Sequence, residues 1–191
     1  MEPPMSIRKI RKGALVAVLV LVGVGAAFIY SSTQGPALDS LSDAHLKSAV
    51  IRLERTLCDG NCPAYTVTIH GNGRVEYDGK RNVKVTGAQE GKIEPAAVRA
   101  LLSKFADAKF MTLAEDSCDA KSKCRVCTDM QMAIPEVTVG SATHRVKHYY
   151  GCLCAPKVLF ELEAAIDKAA NVEQWTGDVS KQGPDGSTCG G

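Results

Sequence analysis

The sequence predicts a two-layer α+β domain over residues 49–175, an antiparallel sheet with two helices on one face, preceded by one transmembrane helix. Three observations predict it. Apolar and polar residues alternate on both sides of Gly71, Asn72 and Gly73, as they do in a hairpin. Apolar residues recur at helical spacing after Pro95 and again after Pro156. Residues 13–29 (GALVAVLVLVGVGAAFI) form an uncharged, mostly apolar run.

The apolar run comes first. Its 17 residues, at about 1.5 Å each, give roughly 25 Å, the short end of what crosses a hydrocarbon core. Arg8, Lys9, Arg11 and Lys12 precede it against Glu2 alone, so residues 1–12 carry +3 of a chain whose formal charge is +2, and the remainder nets −1. That basic segment is expected to stay cytoplasmic, which sends everything after residue 30 across the membrane. Residues 13–30 thus read as a signal-anchor. A cleaved signal peptide is the rival reading, since Val24, Gly25 and Ala26 have small-residue cleavage chemistry, although Phe28, Ile29 and Tyr30 still follow. The near-neutral remainder argues against nucleic acid as a partner. The membrane is the partner the anchor implies, and a protein or small-molecule partner is not specified. Residues 31–47, rich in Ser, Gly, Pro and Asp, read as a flexible linker. Residues 176–191 read as a disordered tail.

The body begins at about residue 49. Ile51 and Leu53 share one face of a first strand. Tyr65, Val67 and Ile69 alternate with Thr66, Thr68 and His70 in a second, and the glycines at 71 and 73 suit the tight turn that follows. Val75 and Tyr77 continue a third strand, Asp78 and Gly79 are expected to turn the chain, and Val83 and Val85 to add a short fourth strand. Pro95 suits a first helical turn, with Val98, Leu101, Leu102 and Phe105 on one face. A polar loop from 114 to about 130 follows. Val137 and Val139 lead into a turn at Gly140 and Ser141, and Val146, His148 and Tyr150 alternate after it. The last helix starts near Pro156, with Val158, Leu159, Leu162, Ile166 and Ala169 on one face and Trp175 closing its end.

Several of these residues together resemble a family. RTLCDGNCPAY over 55–65, with its Cys-x-Gly-x-Cys-Pro-x-Tyr stretch from Cys58 to Tyr65, the hairpin through Gly71 and Gly73, ADAKF over 106–110, and HYYG over 148–151 followed by Ala155 and Pro156 are similar to the bacterial proteins grouped as domain of unknown function 6438. The resemblance covers about residues 49–175. It implies no catalytic residues, and its bacterial members make the far side of the membrane a periplasm. Cys118, Cys124, Cys127, Cys152 and Cys154 depart from the family pattern.

Eight cysteines are present: Cys58, Cys62, Cys118, Cys124, Cys127, Cys152, Cys154 and Cys189. Beyond the membrane such an even set reads as a disulfide framework. Cys58 and Cys62 flank one short turn and suit a mutual bridge. The cysteines of the 114–130 loop are expected to meet Cys152 and Cys154, with at least one bridge between the groups. Two rival readings stand beside this one. Cys124, Cys127, Cys152 and Cys154 offer four thiolates for tetrahedral zinc, with His148 as an additional candidate. Cys124 and Cys127, or Cys152 and Cys154, have the close spacing of a thiol–disulfide oxidoreductase, without the strand-to-helix context that such a motif uses. Asp116, Asp119 and Asp129 are solvated loop carboxylates or cation ligands, and Tyr149 and Tyr150 offer a ligand-stacking surface, against which alternation is expected to bury one of them. Lys80, Arg81, Lys84 and Lys92 read as a sheet edge kept soluble by charge.

No phosphate-cradling loop, nucleophile elbow or paired histidines on a helix are found. The expected function is therefore that of a membrane-anchored extracytoplasmic module, disulfide-braced and non-enzymatic, that binds a partner, with no cofactor.

Overall fold

The structure, a computed structural model, describes residues 42–118 and 124–177. The expected anchor, Asp119, Cys189 and the tail from 178 lie outside those residues. Among the described residues no helix is long and apolar enough to cross a membrane.

Seven strands form one antiparallel sheet: β1 (Val50–Arg55), β2 (Ala64–His70), β3 (Arg74–Arg81), β4 (Gly87–Lys92), β5 (Met132–Val139), β6 (Ala142–Arg145) and β7 (His148–Tyr149). Their order is β4-β3-β2-β1-β5-β6, and β7 also pairs with β5. The register brings distant residues level, with Arg55 opposite Tyr65 on one side and Ala133 on the other. Glu136 to Val139 pair with β6, while Met132 and Ala133 pair with β7. Pro135 lies where the partner changes. Its carbonyl accepts from the Val146 N–H, so the N–H it lacks faces the break between β6 and β7, where no ladder bond is lost.

Period-two burial makes the core. Ile51, Leu53, Tyr65, Val67, Ile69, Val75, Tyr77 and Val137 are buried on one face. That face is covered by α2 (Pro95–Asp107) and α3 (Lys157–Ala170). Helix α2 contributes Val98, Leu101, Leu102 and Phe105, and α3 contributes Leu159, Leu162, Ile166 and Ala170. Asn171, in the left-handed region at φ 51°, ends α3. The α+β class and the antiparallel sheet are as the sequence predicts.

Four elements differ. Asp78 and Gly79 do not turn the chain: β3 runs through them to Arg81, because both of its edges are paired, to β2 and to β4. Ladder pairing here outweighs local turn preference. The turn comes at 82–86, begun by Asn82 at φ 55°. The fourth strand is accordingly Gly87–Lys92, not the stretch around Val83 and Val85. As an edge strand exposed along most of its length, it carries no apolar alternation to reveal it. Part of the expected linker is a helix, α1 (Asp43–Ser48), capped by the Ser42 side chain accepting from the His45 N–H and anchored by buried Leu46. It lies so close to the β2–β3 turn that a Cβ on Gly71 would stand 1.6 Å from the Leu46 carbonyl oxygen. Trp175, in a short helix α4 (Glu173–Thr176), reaches past the end of α3. Its ring stacks on Tyr77 at 5.0 Å between centroids, and its carbonyl accepts from the Val85 N–H.

Candidate functional site

The C-terminal end of β1, the start of β2 and the start of β5 meet at one end of the sheet, under the described parts of the long connections, residues 56–63, 113–118, 124–131 and 150–156. Two constructions of opposite chemistry hold that end: a buried network of charged and hydroxyl groups, and a set of disulfides.

The network follows from periodicity. Arg55 continues the inward alternation of Ile51 and Leu53, and Tyr65 lies level with it on β2. Glu163 and Asp167 are four residues apart on α3, so they share one face, and that face is the buried one that also carries Leu159, Leu162 and Ile166. The Arg55 guanidinium donates to Asp167 Oδ2 from Nη2 at 2.7 Å and from Nε at 3.2 Å. Tyr65 donates its hydroxyl hydrogen to Asp167 Oδ1 at 2.7 Å and accepts from Arg55 Nε at 3.0 Å. Arg55 Nη1 donates to the Tyr150 hydroxyl, which donates in turn to Glu163 Oε2 at 2.6 Å. The second oxygen of Glu163 lies 2.6 Å from His148 Nδ1. His148 is fully buried; its ring is edge-on to Phe160 with centroids 4.3 Å apart, and its Nε2 has no partner.

Burial works against the charge on Arg55, but Asp167, Tyr150, Tyr65 and Glu163 around it more than offset that, and its pKa is raised. Burial also lifts the Asp167 carboxyl above its ordinary value, with the Arg55 charge and the hydrogen bonds from Tyr65 and Arg55 offsetting only part. The Tyr65 and Tyr150 hydroxyls are pushed up, first by burial, so both keep the protons they donate. The arrangement ties α3 to β1, β2 and the segment after β7, and its hydrogen-bonding groups are spent on one another apart from His148 Nε2. It is built as a clamp.

The covalent part lies above it. Cys58–Cys62 closes the β1–β2 connection, with Cα atoms 5.6 Å apart. Buried Gln131 donates from Nε2 to the carbonyls of Thr56 and Pro63 at 2.8 Å each, joining that connection to the start of β5. Cys118–Cys152 and Cys124–Cys154 each join the 113–131 loop to the turn after β7, at Cα separations of 5.7 Å. The two groups of cysteines therefore meet, and by two bridges. Cys127 is disulfide-bonded as well, and no described cysteine is free. Backbone pairing accompanies the bridges: Val126 pairs with Cys152, the Leu153 N–H donates to the Arg125 carbonyl, and the Cys127 N–H to the Gly151 carbonyl. A Cβ on Gly151 would stand 2.1 Å from the Cys127 carbonyl oxygen, so only glycine fits there.

The other expected site residues are placed as follows. Cys124, Cys127, Cys152 and Cys154, the candidate zinc set, are all in disulfides, and a disulfide sulfur has no thiolate to offer a metal. His148 faces Glu163, not these sulfurs. Among the described residues no group of three or more potential ligands converges. Asp116 Oδ1 accepts from the Cys118 N–H at 2.9 Å, and Asp129 is exposed in the left-handed region. Tyr149 accepts from the Met130 N–H at 3.2 Å, while Tyr150 enters the clamp. Sequence reasoning passed over Arg55, Tyr65, Glu163 and Asp167 as a group. A signal existed on α3, where Glu163 and Asp167 interrupt an otherwise apolar face.

The model of the family described as Domain of unknown function (DUF6438) matches residues 49–170. The chain belongs to this family. All members of the clamp and seven of the eight cysteines fall inside the DUF6438 region, whereas α1, Trp175 and Cys189 fall outside it. No curated protein matches the chain.

Proposed function

We propose that this DUF6438 protein is a membrane-anchored extracytoplasmic module whose disulfide-braced end presents a fixed surface to a binding partner, without catalysing a reaction. One observation carries the reading: every described cysteine is in a disulfide, and two of those bridges pin long connections over the clamp. Such bridges persist in an oxidising compartment, which is where the basic segment and apolar run of the N-terminus would deliver the domain. The braced connections and the first turn of α3 carry the exposed apolar side chains Leu57, Val126, Leu153 and Phe160. Large apolar side chains left in water on a rigid support suit contact with another molecule.

The test is the intact mass of the protein taken from its native membrane, alkylated before or after full reduction. The reading expects a mass that retains residues 13–30 and no alkylation until reductant is added. Four or more thiols alkylated without reductant would contradict the compartment, and a mass lacking residues 1–30 would contradict the anchor.

A further inference from the structure

The two bridges over the clamp are not independent. Cys124 Sγ and Cys152 Sγ, which belong to different disulfides, lie 3.7 Å apart, in contact. Thiol–disulfide exchange proceeds by attack of a thiolate on a neighbouring disulfide sulfur, so access between the sulfurs is a main requirement, and here the fold supplies it. We propose that these four cysteines form an exchange couple: reduction of either bridge by a dithiol converts the pair into a single central Cys124–Cys152 bridge, with Cys118 and Cys154 free. This goes beyond the binding-module reading and does not depend on it.

The chemistry balances from either end. A dithiol reduces Cys118–Cys152 and becomes a disulfide itself, passing two electrons and two protons to the two cysteines. The Cys152 thiolate then attacks Cys124 Sγ. The Cys124–Cys152 bond forms, the Cys124–Cys154 bond breaks, and Cys154 leaves as a thiolate and takes up the proton Cys152 had lost. If the dithiol opens Cys124–Cys154 first, the Cys124 thiolate attacks Cys152 Sγ and expels Cys118. The product is the same.

Burial sets the direction. Cys152 is 4% exposed, whereas Cys154 is exposed and Cys118 half-buried. A free thiolate is disfavoured where it is buried, so transfer keeps Cys152 in a bond and moves the free thiols toward water. The ladder around Val126 and Cys152 keeps both segments in register by backbone hydrogen bonds that the exchange leaves intact. Two things change. The segment ending at Cys118 is left with its backbone bonds to Lys147 and loses its covalent tie to the turn. Cys154 also becomes a thiol lining a cavity of about 200 Å³ between Leu113, Val146, Pro156 and Leu159. The couple thus turns a reducing signal into a loosened loop and one presented thiol.

The experiment uses the oxidised full-length chain, titrated with dithiothreitol until one of these two bridges has opened, quenched with acid and labelled with N-ethylmaleimide. Fragmentation between Cys152 and Cys154 locates the label, and Cys58–Cys62 is scored separately. Label on Cys118 and Cys154 together, severalfold above label on Cys152, is the expected result. Label on Cys118 with Cys152, or on Cys124 with Cys154, would mean reduction without transfer and would overturn the proposal. Cys118→Ser gives a second readout without added reductant. Its single leftover thiol is expected to appear mainly at Cys154, and label confined to Cys152 would count against the couple.

Discussion

The two ends of the sheet are closed by different means. At one end, β2 passes to β3 through residues 71–73 and β5 to β6 through Gly140 and Ser141, turns of two or three residues whose glycines reach positive φ at Gly73 and Gly140. There α1 lies on the β2–β3 turn, held by the Ser42 cap and by backbone bonds such as that from the Gly71 N–H to the Ala49 carbonyl. No described disulfide lies at that end. At the other end the β3–β4 turn at 82–86 is short, but the connections that carry the bridges are long, and ordering them costs more chain entropy for each ladder bond gained. Three described bridges, the Gln131 bonds and the Arg55 clamp are all concentrated there. Short turns of favourable geometry hold themselves, whereas long connections require either covalent ties or desolvated charge pairs.

The largest expected effect comes from breaking the clamp at its centre. Arg55→Met leaves the Asp167 and Glu163 carboxylates buried without their cation, which should cost about 3–5 kcal/mol in a urea unfolding measurement. A loss below ~1 kcal/mol would mean that the charges are hydrated and that the end is held by its bridges alone.

The bridges come next, and their loop sizes rank them. Cys118 and Cys152 are 34 residues apart, and Cys58 and Cys62 only 4. By chain entropy, replacing the first pair with serines should cost about 4 kcal/mol and the second about 2 kcal/mol. Thermal unfolding of the two double variants checks the order. If the short loop proved as costly as the long one, the bridges would be acting on the folded state instead of constraining the unfolded chain.

A smaller effect is expected from pH. Because burial raises the Asp167 carboxyl, the folded state holds its proton more tightly than the unfolded chain does. The stability this contributes is complete below the ordinary aspartate value of about 4 and is lost as pH rises through the raised value in the fold. The stability of the native chain relative to Asp167→Asn should therefore fall as pH is raised from about 4 through the raised value and level off above it. An increase would mean that Arg55 lowers the carboxyl more than burial raises it.

The same contrast explains what could be read from the sequence. The β2–β3 hairpin, β1, the turn after β5 and the apolar faces of both long helices are local patterns, each visible within a dozen residues, and they appear where expected. The returning arm expected at Val146, His148 and Tyr150 is instead split into β6 (Ala142–Arg145) and β7 (His148–Tyr149), because β5 changes partner at Pro135. Strand β4 escaped because an exposed edge strand has no apolar period, and α1 because a single buried Leu46 makes no pattern. The clamp joins Arg55 and Tyr65 to Asp167 across more than a hundred residues, so neither partner announces the other. Its nearest trace is the pair of acids on the apolar face of α3. The meeting of the loop cysteines with Cys152 and Cys154 could be anticipated, but the individual pairings follow from long-range backbone contacts with no local signature. These are the Val126–Cys152 bridge that sets Cys124 level with Cys154 and the Asp116–Lys147 bridge that brings in Cys118.

Hydrogen exchange on the full-length chain, oxidised and fully reduced, tests most directly whether the two ends are held differently. On reduction the amides of residues 57–63, 124–130 and 150–155 should lose most of their protection, while those of β2 and β3 around the 71–73 turn keep theirs. Loss of protection at both ends together would contradict the account, because the bridges would then be sustaining the whole fold and not bracing one end of it.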